Sequence, residues 1–135
     1  MATKFILDTH AIVWHLEGNP RLGSVARTVI DDPASELVLP AIALAEAMYR
    51  VEKGRCTIPA ISDLLSDIQN DSRIDIYPLT AGILYVAAML TAIPEMHDRL
   101  IVATGIYLQQ LGDVVEIITK DADITTSGLL SVRWS

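Results

Sequence analysis

The chain has 135 residues, 51% of them hydrophobic, and a formal net charge of −7, which suits one domain that buries roughly 68% of the surface its unfolded form would expose. No apolar run of about 18 residues is free of charges or breakers and no signal-peptide core follows Met1, while the single cysteine, Cys56, excludes an intramolecular disulfide framework; a soluble cytoplasmic protein with no membrane partner is expected. The acidity argues against nucleic-acid binding through a broad basic surface, but not against an acidic site whose bound cations invert the local field.

Lys4-Phe5-Ile6-Leu7 is a short apolar run without polar alternation, the pattern of a strand covered on both faces of a parallel sheet. It ends at Asp8-Thr9, so Asp8 stands at a strand's carboxyl end, where the crevices of open α/β sheets form. Asp8 or Thr9 also suits the cap of a helix from His10 to Glu17. Gly18-Asn19-Pro20 breaks that helix, and Leu22, Val25, Ala26, Val29 and Ile30 recur at helical spacing, which predicts an αα-hairpin. His10 and His15 are five apart, so they do not stack on one face as a metal-binding pair does, and read as structural or surface residues.

Glu36-Leu37-Val38-Leu39 reads as a second buried strand, with Pro40 opening a helix from Ala41 to about Lys53. Glu46 lies in mid-helix among Ile42, Ala43, Leu44, Ala45, Ala47 and Met48, where a carboxylate needs a partner. Two alternatives stand: an i,i+4 ion pair with Arg50, or membership of a functional site. Arg50, Lys53 and Arg55 concentrate basic charge just beyond. Ile58-Pro59 is expected to open an amphipathic helix, and Ile74 to Leu79 forms a third short strand that Pro78 places at an edge or turn.

Thr80 is the expected cap of a helix whose Ile83, Leu84, Val86, Ala87, Met89 and Leu90 predict a broadly buried face. A helix from about Glu95 to Leu111 carries Asp98 in its first turns, near the positive end of the dipole. Its neighbours His97 and Arg99 have no assigned role. Val114 to Ile118 is a fourth strand followed by Thr119-Lys120-Asp121-Ala122-Asp123, and Leu129 to Trp134 allows a last short strand. Strands alternating with helices imply an α/β fold over 1–135 as a single domain, with a short central parallel sheet of about four to five strands and helices on both faces.

Four blocks in this order resemble those of PIN-domain nucleases, and within them VapC-type toxins of type II toxin–antitoxin systems. They are Phe5-Ile6-Leu7-Asp8-Thr9-His10, Leu39-Pro40-Ala41-Ile42 leading to Ala45-Glu46, His97 through Thr104, and Ile118-Thr119-Lys120-Asp121. The resemblance implies a PIN-like fold and a metal-dependent endoribonuclease with an acidic pocket of Asp8, Glu46, Asp98 and Asp121. Mg²⁺, with Mn²⁺ as substitute, prefers hard oxygen ligands and substrate phosphate oxygens. On this resemblance Asp8, Asp98 and Asp121 are the metal ligands and Glu46 is an outer ligand or water-orienting base, with Thr9 and Thr119 as supporting hydrogen-bond donors. Asp123 is an alternative to Asp121. The implied partners are an RNA substrate, with Arg50, Lys53 and Arg55 the first place to seek phosphate contacts, a cognate antitoxin that places an Arg or Lys in the pocket, and a second copy in a homodimer. A catalytically weak PIN-like binding or regulatory module is the alternative.

Overall fold

The computed structural model of the chain describes residues 2–135. The elements run β1 (Thr3–Leu7), α1 (Thr9–Glu17), α2 (Ser24–Asp31), β2 (Glu36–Pro40), α3 (Ala41–Glu52), α4 (Ile61–Gln69), β3 (Ile74–Tyr77), α5 (Ala81–Ala88), α6 (Met96–Gln110), β4 (Val114–Ile118), α7 (Ala122–Ser127) and β5 (Ser131–Arg133). The five strands form one sheet in the order β3-β2-β1-β4-β5, and every pairing is parallel. Its central strands are buried where the apolar runs predict: Ile6 and Leu7, Leu37 to Leu39, and Ile117 and Ile118 are all closed to solvent.

Chain direction explains where a site forms. From β1 the chain steps outward to β2 and β3, then crosses back to place β4 on the other side of β1. A reversal of this kind leaves a crevice at the carboxyl ends of the two strands that flank it, here β1 and β4. By the right-handed crossover rule the reversal also moves the later helices to the opposite face of the sheet.

Helix α6 is the buried prop of this crevice. Leu100 through Gly105 are all buried, and the helix packs on β1 and β4 and also meets α3. Gly105 permits that approach, since a Cβ there would lie 2.7 Å from Leu130 Cδ1, 3.2 Å from Ile6 Cγ1 and 3.3 Å from Val115 Cγ1.

Two expectations change, and one helix, α7, is absent from the sequence reading. Helix α4 begins at Ile61, not at Ile58-Pro59, because Ala60 is extended at φ −147° and Ile58 is instead buried as part of the connector. Helix α5 buries only Ile83 and Ala87, with Leu90 just beyond it; Leu84, Tyr85 and Met89 face outward, Met89 at 80% exposure. The six residues of α7 are too few to show a period in sequence. Among the described residues no helix is long and apolar enough to cross a membrane.

Replacing Gly105 by valine is expected to force α6 away from β1 and β4 and lower the unfolding free energy by about 1–3 kcal/mol, read from urea denaturation.

Candidate active site

At the carboxyl end of β1, Asp8 is 5% exposed and has extended backbone angles, so its side chain caps α1: Oδ1 accepts from the Ala11 amide at 2.8 Å. Its Oδ2 accepts from the hydroxyl of Thr119, which follows β4 and is fully buried. The same Thr119 hydroxyl oxygen accepts from the Asp121 amide at 3.0 Å. Asp121 in turn caps α7, with Oδ1 accepting from the Ile124 amide at 2.9 Å. One threonine thus ties together the two acids that follow neighbouring strands.

The helices add the other two. Glu95 caps α6 by accepting from the Asp98 amide at 3.0 Å, and the Asp98 carboxylate itself has no hydrogen bond among the described residues. Asp8, Glu46, Asp98 and Asp121 all line one cleft, together with Thr9, His10, Arg50, Ile101 and Lys120. The four acids singled out in the sequence are therefore brought to one place. Asp123 lies exposed on α7 and is not part of the cleft wall.

The Glu46–Arg50 ion pair is not formed. Oε1 of Glu46 and Nε of Arg50 are both buried without a hydrogen-bond partner, as is the Thr9 hydroxyl close to Glu46. Both residues line the cleft and also the hollow beside it. His97 pairs with Glu95 at 3.1 Å on the surface, and Arg99 donates to the Ile93 carbonyl, which fixes the turn before α6.

The electrostatics are those of crowded acids. Burial pushes Asp8 up to about 6 despite the hydrogen bonds from Thr119 and Ala11, with the charges of Asp121 and Glu46 adding to the rise. Asp98 is raised to about 7 by burial and then by Asp121, Glu95, Glu46 and Asp8, with no opposing contact. Burial also raises Glu46, although His97 and Arg50 draw it back. These carboxylates titrate as a group, not singly.

Such a set fits a hard divalent cation in its donor chemistry: oxygen ligands only, one of them with no internal partner. Among the described residues no three His, Cys, Asp or Glu side chains are drawn into a ready-made metal cage. Mg²⁺ does not need one, because it keeps waters and takes one or two carboxylates plus substrate oxygens.

Two cleft residues escape the sequence reading. His10 packs against Trp14 in a tilted arrangement, with centroids 5.0 Å apart and the ring planes at 59°, and burial, Arg50 and Lys120 lower its pKa. Lys120 holds its ammonium 4.6 Å from the Trp14 ring centroid while lining the cleft. Their positions beside Asp8 and Asp121 were the available signal, outweighed for His10 by its spacing from His15.

The PIN domain family model matches residues 5–126. Among solved structures, VapBC2 from Rickettsia felis bound to a DNA fragment from its promoter is similar at a TM-score of 0.71 and 17% identity, covering 98% of this chain and 99% of that one. A toxin–antitoxin complex from Klebsiella pneumoniae gives 0.66 and 16%, over 96% and 95%. FitAcB from Neisseria gonorrhoeae gives 0.65 and 18%, over 95% of each chain. No curated protein sequence matches.

The raised acids imply a pH dependence of the metal-free fold. A carboxyl whose folded pKa exceeds its unfolded one stabilises fully below the unfolded value, near 3.8, and loses that contribution as pH rises through about 6 for Asp8 and about 7 for Asp98. Asp71, held low by its hydrogen bond from Arg73, acts oppositely in the ordinary carboxylate range, and His10 and His15, both lowered first of all by burial, act oppositely as pH falls below the ordinary histidine value of 6.5. In EDTA, Asp98→Asn is therefore expected to raise the melting temperature more at about pH 8 than at about pH 5.5, read by differential scanning calorimetry.

Proposed function

The chain belongs to the PIN domain family, and on that premise we propose that it is a metal-dependent endoribonuclease and the toxin of a type II toxin–antitoxin pair. The observation that carries this reading is the convergence of Asp8, Glu46, Asp98 and Asp121 from four separate segments on one cleft at the sheet's switch point. Repulsion among them is unfavourable unless a cation is held there.

Asp8, Asp98 and Asp121 would hold the ion, Mg²⁺ or Mn²⁺. Bound, such an ion supplies orientation of the scissile phosphate, easier ionisation of an attacking water and stabilisation of the leaving oxygen. The chain's own groups do the rest. Glu46, with its raised pKa and an oxygen free of partners, orients a water and takes its proton. Thr119 fixes the Asp8 carboxylate by donating to Oδ2, and the Ala11 amide fixes the other oxygen. Lys120 offers a cation to the substrate's phosphate from the cleft wall. His10, lowered in pKa by burial and by Arg50 and Lys120, adds no positive charge to compete with the cation for the acids.

The reading extends to partners. An antitoxin side chain of Arg or Lys placed between the four acids would neutralise them and block the cleft, and the chain's charge of −7 favours a basic partner. Tyr85 and Met89, 75% and 80% exposed on α5 beside Leu84, supply an apolar face of the kind that a homodimer covers. On this reading the protein acts on RNA in the cytoplasm.

Purified protein is expected to cleave single-stranded RNA internally in Mg²⁺ or Mn²⁺ and to stop in EDTA. Asp8→Ala and Asp98→Ala should each lower the rate by about a hundredfold or more and abolish stabilisation by Mn²⁺ in thermal melts. Equal cleavage by wild type and both variants would identify a contaminating nuclease, and Mn²⁺ stabilisation without turnover would make the chain a binding module. Tyr85→Glu is expected to convert a dimer to a monomer in sedimentation analysis.

A further inference from the structure

A second hollow adjoins the acidic cleft, lined by Ile42, Tyr49, Arg55 and His97, and it shares Glu46 and Arg50 with the cleft. The Tyr49 ring is 51% exposed. Lys53 Nζ lies 5.4 Å and Arg55 Cζ 6.0 Å from the ring centroid. Elsewhere Lys4, Arg73 and Arg133 are tied to carboxylates. Among the described residues Arg50, Lys53 and Arg55 have no such partner, and neither do Arg21, Arg27, Arg99 and Lys120; what sets the three apart is their grouping at Tyr49 and this hollow.

Arg50 carries the second observation. Its Nε is buried without an acceptor at the junction of the two hollows, and Glu46 one turn earlier does not provide one. A buried guanidinium N–H is costly to leave unpaired, so a ligand oxygen is the missing partner. An exposed aromatic ring beside unpaired cations is the recognition set for single-stranded nucleic acid: bases stack on the ring and the cations follow the backbone. The planar guanidinium fork also matches a phosphate.

We infer that this hollow is a nucleotide subsite for single-stranded RNA, in which the base next to the scissile phosphate stacks on Tyr49 and its phosphodiester meets Arg50. Arg55 and Lys53 take the phosphates that follow. The choice of RNA rests on the ribonuclease reading above, whereas the anionic and stacking chemistry comes from the hollow itself. A basic protein segment is repelled by the same cations, and an acidic one is the competing occupant.

Equilibrium binding in EDTA tests this, with a short fluorescent single-stranded oligoribonucleotide that carries 2-aminopurine. Tyr49→Ala is expected to weaken binding about tenfold or more and to remove the quenching of 2-aminopurine that stacking causes, while Tyr49→Phe retains both. Arg55→Gln and Lys53→Gln should each reduce the slope of log affinity against log salt by about 0.7. Mn²⁺ stabilisation unchanged in Tyr49→Ala verifies that the acidic cleft is intact. Affinity unaltered by Tyr49→Ala and Arg55→Gln overturns the inference, as does a wild-type protein that binds an acidic peptide and no RNA. Wild type that binds RNA through Tyr49 yet never cleaves it defeats the nuclease reading and leaves the subsite standing; cleavage with Tyr49 irrelevant to affinity does the reverse.

Discussion

The hydroxyl of Thr119 donates to Asp8 and accepts from the Asp121 amide, and the arrangement of the cleft depends on it. It joins the ends of β1 and β4, neighbours in the sheet that are separated by most of the chain. Parallel pairing from Thr3 with Val114 to Leu7 with Ile118 brings those ends level. The contact lies in a fully buried position, where a hydrogen bond is strong and an unpaired carboxylate costly. Register thus becomes chemistry: a slip of one residue would turn the side chains of β1 to the opposite face and break the link.

The cleft sets acids against one another at close quarters, and the surrounding fold supplies what makes this tolerable. Asp8 and Asp121 each receive a backbone amide at a helix start, and Asp98 lies in the first turn of α6 near the positive dipole end. Local capping and site chemistry are therefore the same residues seen at two levels. What capping leaves uncompensated is evident in Asp98, which has four acidic neighbours and no donor to its carboxylate. Basic groups stand along the wall, with Arg50 and Lys120 lining the cleft and Arg55 lining the adjoining hollow, so positive charge borders the acids.

Much of this was legible in the chain because periodicity and punctuation carry it. The unbroken runs Phe5 to Leu7 and Leu37 to Leu39 announce strands buried on both faces, and Thr80 and Gly18 act at the helix ends where their chemistry predicts. Errors fall where local pattern is a poor guide to neighbours. The apolar residues of α5 promised a wide buried face, yet Tyr85 and Met89 point outward, because burial depends on what packs against a helix and α6 covers only one side of it. Glu46 and Arg50 have the spacing of an ion pair, and tertiary placement directs both to the cleft instead.

Alone, the sequence determined the α/β alternation and the strand ends at which Asp8 and Asp121 sit. It also determined the helix start that carries Asp98, since hydrophobic period, caps and breakers act over a few residues and are written in order along the chain. Only the tertiary structure decided that Asp121 and not Asp123 lines the cleft, that His10 and Lys120 join it, and that the Arg50 Nε is left without an acceptor. Each of those depends on contacts between segments far apart in sequence. Strand order, crossover direction and the close approach of α6 at Gly105 set such contacts, and no local pattern encodes them.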